Sequence, residues 1–207
     1  MIAMDEWDYD VPVPPRYALI SVTNKTDIEK FEKLTRRRWT ILSTGGTAEH
    51  LKKAKIPVTL VEQYTGLPEM MDGRLKTLHP KVHGGLLGNL TIKHHVDAML
   101  EYDMVPIDLL VVNLYDFSND NCIEKIDIGG PAMIRSGAKN FERVTVVTDP
   151  VDYDEVIGQI TRSGTTSWKL RKSLAAKALC LTAGYDAKIS AWMFAQEEPE
   201  KSRLHVG

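Results

Sequence analysis

Several features that would send a chain out of the cytoplasm, or give it a ready-made cofactor site, are missing here. Only two cysteines occur, Cys122 and Cys180. They make no metal-ligand pattern, so a reduced, cytoplasmic setting is the expectation. No apolar run approaches membrane-spanning length, and the first residues do not pass from basic to apolar as a secretion leader does. Charge is balanced: 26 Lys and Arg against 28 Asp and Glu leave a formal net charge of -2. That gives no basic field for wholesale nucleic-acid binding. There is no dinucleotide fingerprint, internal repeat or low-complexity segment. What is present, 207 residues with 43% hydrophobic and 26% charged content, suits one soluble domain with a sizeable core.

Along the chain, short apolar runs alternate with helical patterns. Residues 1–15 are acidic and end in Val-Pro-Val-Pro-Pro, which reads as an extended tail or arm. Strands are predicted at Tyr17 to Val22, Trp39 to Leu42, Pro57 to Val61, Ile107 to Leu114 and Val144 to Val147. The run at Ile107 is the most apolar, as a strand buried on both faces would be. Thr26-Asp-Ile-Glu29 fits a capping box opening a helix toward Leu34. Further helices follow Ser43-Thr-Gly-Gly-Thr47, span Ile92 to Tyr102 with Val96, Met99 and Leu100 inward, follow Asp127, and begin at Asp149. From Thr166 to Phe194 a proline-free stripe (Leu170, Leu174, Ala178, Leu181, Tyr185, Ile189, Trp192) predicts one long helix, or two broken near Gly184. It serves either the domain's own sheet or a dimer face. The alternation predicts an α/β fold, a mostly parallel sheet flanked by helices, over residues 16–195, with 196–207 a polar tail.

One stretch fits neither pattern. From Glu69 to Gly85, Arg74, Lys76, His79, Lys81 and His83 crowd between Gly73 and the Gly84-Gly85 pair. This predicts a shaped basic loop, anchored by Met70, Leu75, Leu78 and Val82, that forms half of a site for a phosphorylated anion. His79 and His83 are four apart, a spacing open to metal ligation, but hydrogen bonds that stabilise the loop are the stronger reading. Ser43-Thr44-Gly45-Gly46-Thr47, at a strand-to-helix junction, offers N–H groups, hydroxyls and the positive end of a helix to an anion. Ser21-Val-Thr23-Asn-Lys25 follows the first strand in the same way, though Lys25 alone would read as a surface lysine. Asn113 and Tyr115 end the most buried strand. Asp127, ahead of Gly129 and Gly130, is either a helix cap or a group beside a developing oxyanion. Lys139, by itself, carries no signal.

In order, the chain contains Ser21-Val-Thr-Asn-Lys-Thr26, Ser43-Thr-Gly-Gly-Thr47, the Gly66 to Gly85 stretch, Asn113-Leu-Tyr115, Ile126-Asp-Ile-Gly-Gly-Pro131 and Ala138-Lys-Asn140. Together these resemble the IMP cyclohydrolase domain of the bifunctional purine-biosynthesis protein, whose other half is an AICAR transformylase. The resemblance runs from about Tyr17 to Tyr153 and more loosely to Trp192. It implies a methylglyoxal-synthase-like (Rossmann-like) fold, a homodimer, and closure of formyl-AICAR to IMP with loss of water. No metal and no organic cofactor is expected, nor a nucleic-acid or membrane partner. By similarity, Ser21, Thr23, Lys25, Thr44, Gly45, Gly46 and Thr47 would hold the phosphate, with Ser43 alongside. Reactive groups fall on Lys76, Tyr115, Asp127 and Lys139. Arg74, Leu75, Thr77, Leu78, Asn113, Ile128, Gly129 and Gly130 would lie against the purine ribotide.

Two departures stand out. Asp116 takes the place of the usual proline, and the segment 116–125 is short. The chain also ends where the transformylase half would begin, so no folate chemistry is expected and a separate AICAR formyltransferase is the candidate partner. Two other functions share the fold. A methylglyoxal synthase would use Thr44 to Thr47 but not the whole basic loop with Asn113 to Tyr115. A regulatory nucleotide-binding module would not need Lys76, Tyr115, Asp127 and Lys139 together.

Overall fold

A computed structural model describes residues 16–117 and 122–196. The predicted arm at 1–15, the tail beyond 196 and the middle of the 116–125 segment lie outside the described residues. Five short strands, β1 (Arg16–Ile20), β2 (Trp39–Ser43), β3 (Thr59–Leu60), β4 (Ile107–Val111) and β5 (Thr145–Val147), form one parallel sheet in the order β3-β2-β1-β4-β5. The chain works outward from β1 to β3, then returns to lay β4 on the other side of β1. Such a reversal opens a crevice at the carboxyl ends of the two central strands, where ligands bind in open α/β sheets. Register sets Ile20 opposite both Ser43 and Val111, so the loops that follow β1, β2 and β4 leave the sheet at one level.

The helices are α1 (Glu32–Thr35), α2 (Gly45–Lys53), α3 (Val61–Thr65), α4 (Pro80–Leu87), α5 (Lys93–Glu101), α6 (Gly129–Lys139), α7 (Tyr153–Ser163) and α8 (Trp168–Phe194). Alternate strand residues serve two cores, as a period of two requires. Ala18, Ile20, Ile41, Leu109 and Val111 pack with Phe31, Tyr153 and Ile157. Leu19, Leu42 and Leu110 pack with Val82, Leu86, Met133 and Ile134. Double-sided burial explains the unbroken apolar run of β4.

Some predicted elements differ. The capping box does not form: Asn24 Oδ1 takes both the N–H and the hydroxyl of Thr26, and a short 3-10 turn, Ile28–Phe31, precedes α1. The third strand is reduced to two residues because Val61 already starts α3. Met99 is buried in α5, but Leu100 is 74% exposed, since only one narrow face of that helix meets the core. The largest difference concerns the basic stretch, whose second half is helical. Pro80 sits at the first position of α4, where its missing N–H costs nothing, and His79 Nδ1 caps the helix by accepting from Lys81 N–H at 3.1 Å. Gly84 and Gly85 serve packing rather than a turn. A Cβ on Gly84 would sit 2.2 Å from Met104 Sδ, and one on Gly85 would sit 2.5 Å from the Val105 carbonyl oxygen. At the other end of the chain α8 is one helix, unbroken at Gly184.

Candidate active site

The first half of the site is built by the loops after β1 and β2. Thr44, extended between β2 and α2, is the N-cap position of the helix and leaves the N–H groups of Gly45 and Gly46 in an exposed first turn without intrahelical partners. Thr44 does not cap that helix with its side chain; its hydroxyl shares a 2.7 Å hydrogen bond with Ser21 Oγ. Thr47 turns inward instead. Its Oγ1 accepts from Val22 N–H at 3.0 Å and donates to the Val22 carbonyl at 2.9 Å, locking the β1 loop onto α2. Ser43 is fully buried and donates to the Ile20 carbonyl at 2.7 Å, so its hydroxyl seals strand ends rather than facing the crevice. Lys25 crosses back over the helix start: a Cβ on Gly46 would lie 4.0 Å from its Nζ. Paired hydroxyls, free amides, a helix N-terminus and an ammonium group thus converge on one patch. Such a patch suits a phosphate.

Asn113 joins this half to the next. Its Oδ1 accepts from Thr23 N–H at 2.7 Å and Asn24 N–H at 2.9 Å, and its Nδ2 donates to the Asn24 carbonyl at 3.0 Å. A side chain at the end of β4 therefore shapes the phosphate-side loop, and Tyr115 follows two residues later with its ring 60% exposed.

The second half gathers at the start of α6. Asp127 Oδ1 accepts from Gly130 N–H at 2.9 Å, and its Oδ2 lies 2.3 Å from where a Gly130 Cβ would be. Leu114 and Thr77 press on the same turn, Leu114 Cδ2 at 2.7 Å from a Gly130 Cβ and Thr77 Oγ1 at 2.5 Å from a Gly129 Cβ. The two glycines are what let the loop from Gly66, the end of β4 and the carboxylate meet around one helix N-terminus. In that loop, Met70 and Leu75 exchange two backbone hydrogen bonds around a turn at Met71, Asp72 and Gly73, all at positive φ. Arg74 leaves the turn to pair with Glu124, its Nη2 reaching Oε2 at 2.6 Å, and the carboxylate raises its pKa further. Lys76 and Ile128 are exposed, while Leu75 and Leu78 are half-buried anchors.

Three residues fall elsewhere or do something else. Lys139 closes α6, ten residues from Gly129 and so about 15 Å from the helix start at 1.5 Å per residue. It is exposed and lines a shallow cavity with Leu87, Arg135, Ser136 and Leu179, toward the edge of the sheet where β5 begins. His79 is the α4 cap described above. His83 is half-buried against Ser136, Nδ1 to Oγ 2.9 Å, and burial lowers its pKa. Among the described residues no group of three His, Cys, Asp or Glu side chains is placed to hold a metal ion. One contact had no sequence signal: Tyr185, assigned to a packing stripe, accepts a hydrogen bond from Asp127 N–H at 2.8 Å. Its spacing on α8 marks it as inward-facing, but nothing marks what its hydroxyl meets.

Comparison with known proteins places these features in a family. A family model described as MGS-like domain matches residues 28–132, and one described as AICARFT/IMPCHase bienzyme matches residues 137–206. The bifunctional purine biosynthesis protein PurH of Streptococcus mutans is 49% identical over 200 residues, covering 90% of this chain and 39% of that protein. PurH of Rhodospirillum rubrum is 48% identical over 201 residues (92% and 38%), and that of Bradyrhizobium diazoefficiens 51% over 191 (87% and 36%). The chain thus spans well under half the length of these relatives. The crystal structure of ForH superposes with a TM-score of 0.80 at 33% identity, covering 87% of this chain and 100% of that one.

Proposed function

This chain belongs to the MGS-like domain family, and from that premise we propose that it is an IMP cyclohydrolase, closing formyl-AICAR to IMP with loss of water. What supports this reading above others on the fold is that the end of β4 serves both halves: Asn113 holds the loop after β1, and Leu114 beside it packs against the start of α6. The α2 end carries a phosphate grip, and the α6 end carries a carboxylate flanked by the basic loop and Tyr115. Grip and carboxylate together suit a ribotide whose far end reacts.

The carboxamide nitrogen is a poor nucleophile and must attack the formyl carbon of the same molecule. Fixing the phosphate at Ser21, Thr44, Gly45, Gly46 and Lys25 and the ring near Thr77 and Ile128 brings the two groups together, so orientation supplies much of the acceleration. Asp127, with one oxygen tied to Gly130 N–H, accepts the proton that leaves nitrogen as the C–N bond forms. Lys76, Tyr115 and the Gly129 N–H stabilise the oxygen that takes up charge and assist its departure as water. Met71, Tyr115, Ile123 and Ile128 expose apolar surface around this mouth, fitting for a base to cover.

We place the enzyme in the cytoplasm as a homodimer; among the described residues no helix is long and apolar enough to cross a membrane. The direct test mixes the purified chain with formyl-AICAR and follows IMP formation by ultraviolet absorbance, with dihydroxyacetone phosphate in a parallel cuvette. IMP formation is the expected result. Loss of phosphate from dihydroxyacetone phosphate, with formyl-AICAR untouched, would assign the site to a methylglyoxal synthase instead.

A further inference from the structure

We propose that Tyr185 on α8 is a positioning residue for ring closure, holding the Asp127 main chain so that its carboxylate stays aimed at the reacting amide. The inference rests on the cyclohydrolase reading above. Tyr185 is only 5% exposed, and its hydroxyl lies between two backbone groups of the segment that leads into α6. It accepts from Asp127 N–H at 2.8 Å and donates to the Lys125 carbonyl at 3.4 Å. Asp127 is therefore held at two points, its N–H by Tyr185 and its Oδ1 by Gly130 N–H. With both held, the second carboxylate oxygen has little freedom left.

The same face of α8 grips the other flank of the site. The Tyr185 ring meets Phe117 edge-on at 6.2 Å, and Phe117 meets Trp192 at 5.5 Å. Lys188 pairs with Asp116 at 2.8 Å. Residues 185, 188 and 192 are spaced to share a helix face. One continuous helix thus ties down both the segment behind Tyr115 and the segment carrying Asp127. A ring that served packing alone would need no hydroxyl, whereas this one meets a backbone donor and a backbone acceptor. Burial keeps the phenol protonated by raising its pKa, so it can serve both.

Tyr185→Phe keeps the ring and its Phe117 contact and deletes only the hydroxyl. In the full chain, kcat for formyl-AICAR should fall about tenfold with KM within about twofold, as for a group that acts in the transition state. In Asp127→Asn the further change Tyr185→Phe should cost nothing, since the two act as one unit. Wild-type kcat in Tyr185→Phe, or losses that simply multiply in the double variant, would overturn the proposal. Hydrogen exchange on the wild-type protein gives a check that no variant's folding can spoil: the Asp127 amide should be protected, and rapid exchange there overturns the proposal as well. An inactive wild type would instead sink the cyclohydrolase reading, an outcome these comparisons keep separate.

Discussion

Asp127 is both a cap and a candidate base, and one substitution separates the two roles. In Asp127→Asn the side-chain oxygen can still accept from Gly130 N–H, and asparagine caps about as well as aspartate. Melting temperature should barely change, while loss of the base lowers kcat by about 10²–10⁴-fold. Near wild-type turnover would leave Asp127 a cap only. At the phosphate end, Thr44→Val removes the partner of Ser21 Oγ and should weaken formyl-AICAR binding by about 1–3 kcal/mol, measured as KM. His83 gives a different kind of prediction. Ser136 Oγ donates to the Ala132 carbonyl, so His83 Nδ1 donates to Ser136, and the buried Nε2 finds no partner among the described residues. Burial depresses the folded-state pKa below the ordinary 6.5. Stability from neutral His83 is present above the unfolded pKa and is lost as pH falls through the folded one. Melting temperature should thus decline below about pH 6.5, and His83→Gln should flatten that slope. Residue by residue, sequence suggested which side chains stand near the crevice, because their order along the chain is unusual. It did not show that Ser43 and Thr47 spend their hydroxyls inside the fold, since a hydroxyl at a strand end faces the ligand or the strand according to register alone.

Among the elements, strands were the easiest to read, because apolar runs of four to eight residues between glycine- and proline-rich breaks leave few alternatives. Helix α4 was hidden by its glycines, which look like turn residues until Met104 and Val105 are seen lying against them. The capping box near Thr26 failed for a related reason: Asn24, two residues earlier, competes for the same N–H. This account of the glycines can be tested as a pair. Gly85→Ala puts a Cβ 2.5 Å from the Val105 carbonyl oxygen and 3.0 Å from Ile107 Cδ1, a clash with backbone that cannot give way easily. Overpacking of that kind costs about 1–3 kcal/mol. Gly184→Ala, in the middle of α8 with nothing within 4 Å of the new Cβ, should instead stabilise by up to about 1 kcal/mol through helix propensity. Urea unfolding of the two variants should show opposite signs. A neutral Gly85→Ala would mean that α4 can move away from the sheet, and the basic loop would then be less firmly anchored than the structure implies.

For the whole molecule, the open point is Lys139. The family resemblance sets it among the reactive groups, yet α6 carries Asp127 ahead of one end and Lys139 at the other. In a single copy the axial separation of about 15 Å exceeds the reach of a lysine side chain, so Lys139 does not meet the Asp127 carboxylate directly. Exposed Leu87 and Leu179 flank Lys139, and a second copy covering them would bring Lys139 into the interface. In a homodimer arranged this way, Lys139 would serve the partner's site. Asp127→Asn and Lys139→Ala should each be inactive alone. Coexpressed in equal amounts, half of the dimers are mixed, and each mixed dimer carries one site with both groups intact. Activity should return to about a quarter of wild type, as two-fold symmetry with shared sites requires. If Lys139 worked within its own chain, mixing would restore nothing. An active Lys139→Ala would remove the lysine from the chemistry altogether, leaving ring closure to Lys76, Tyr115 and Asp127 at the carboxyl edge of the sheet.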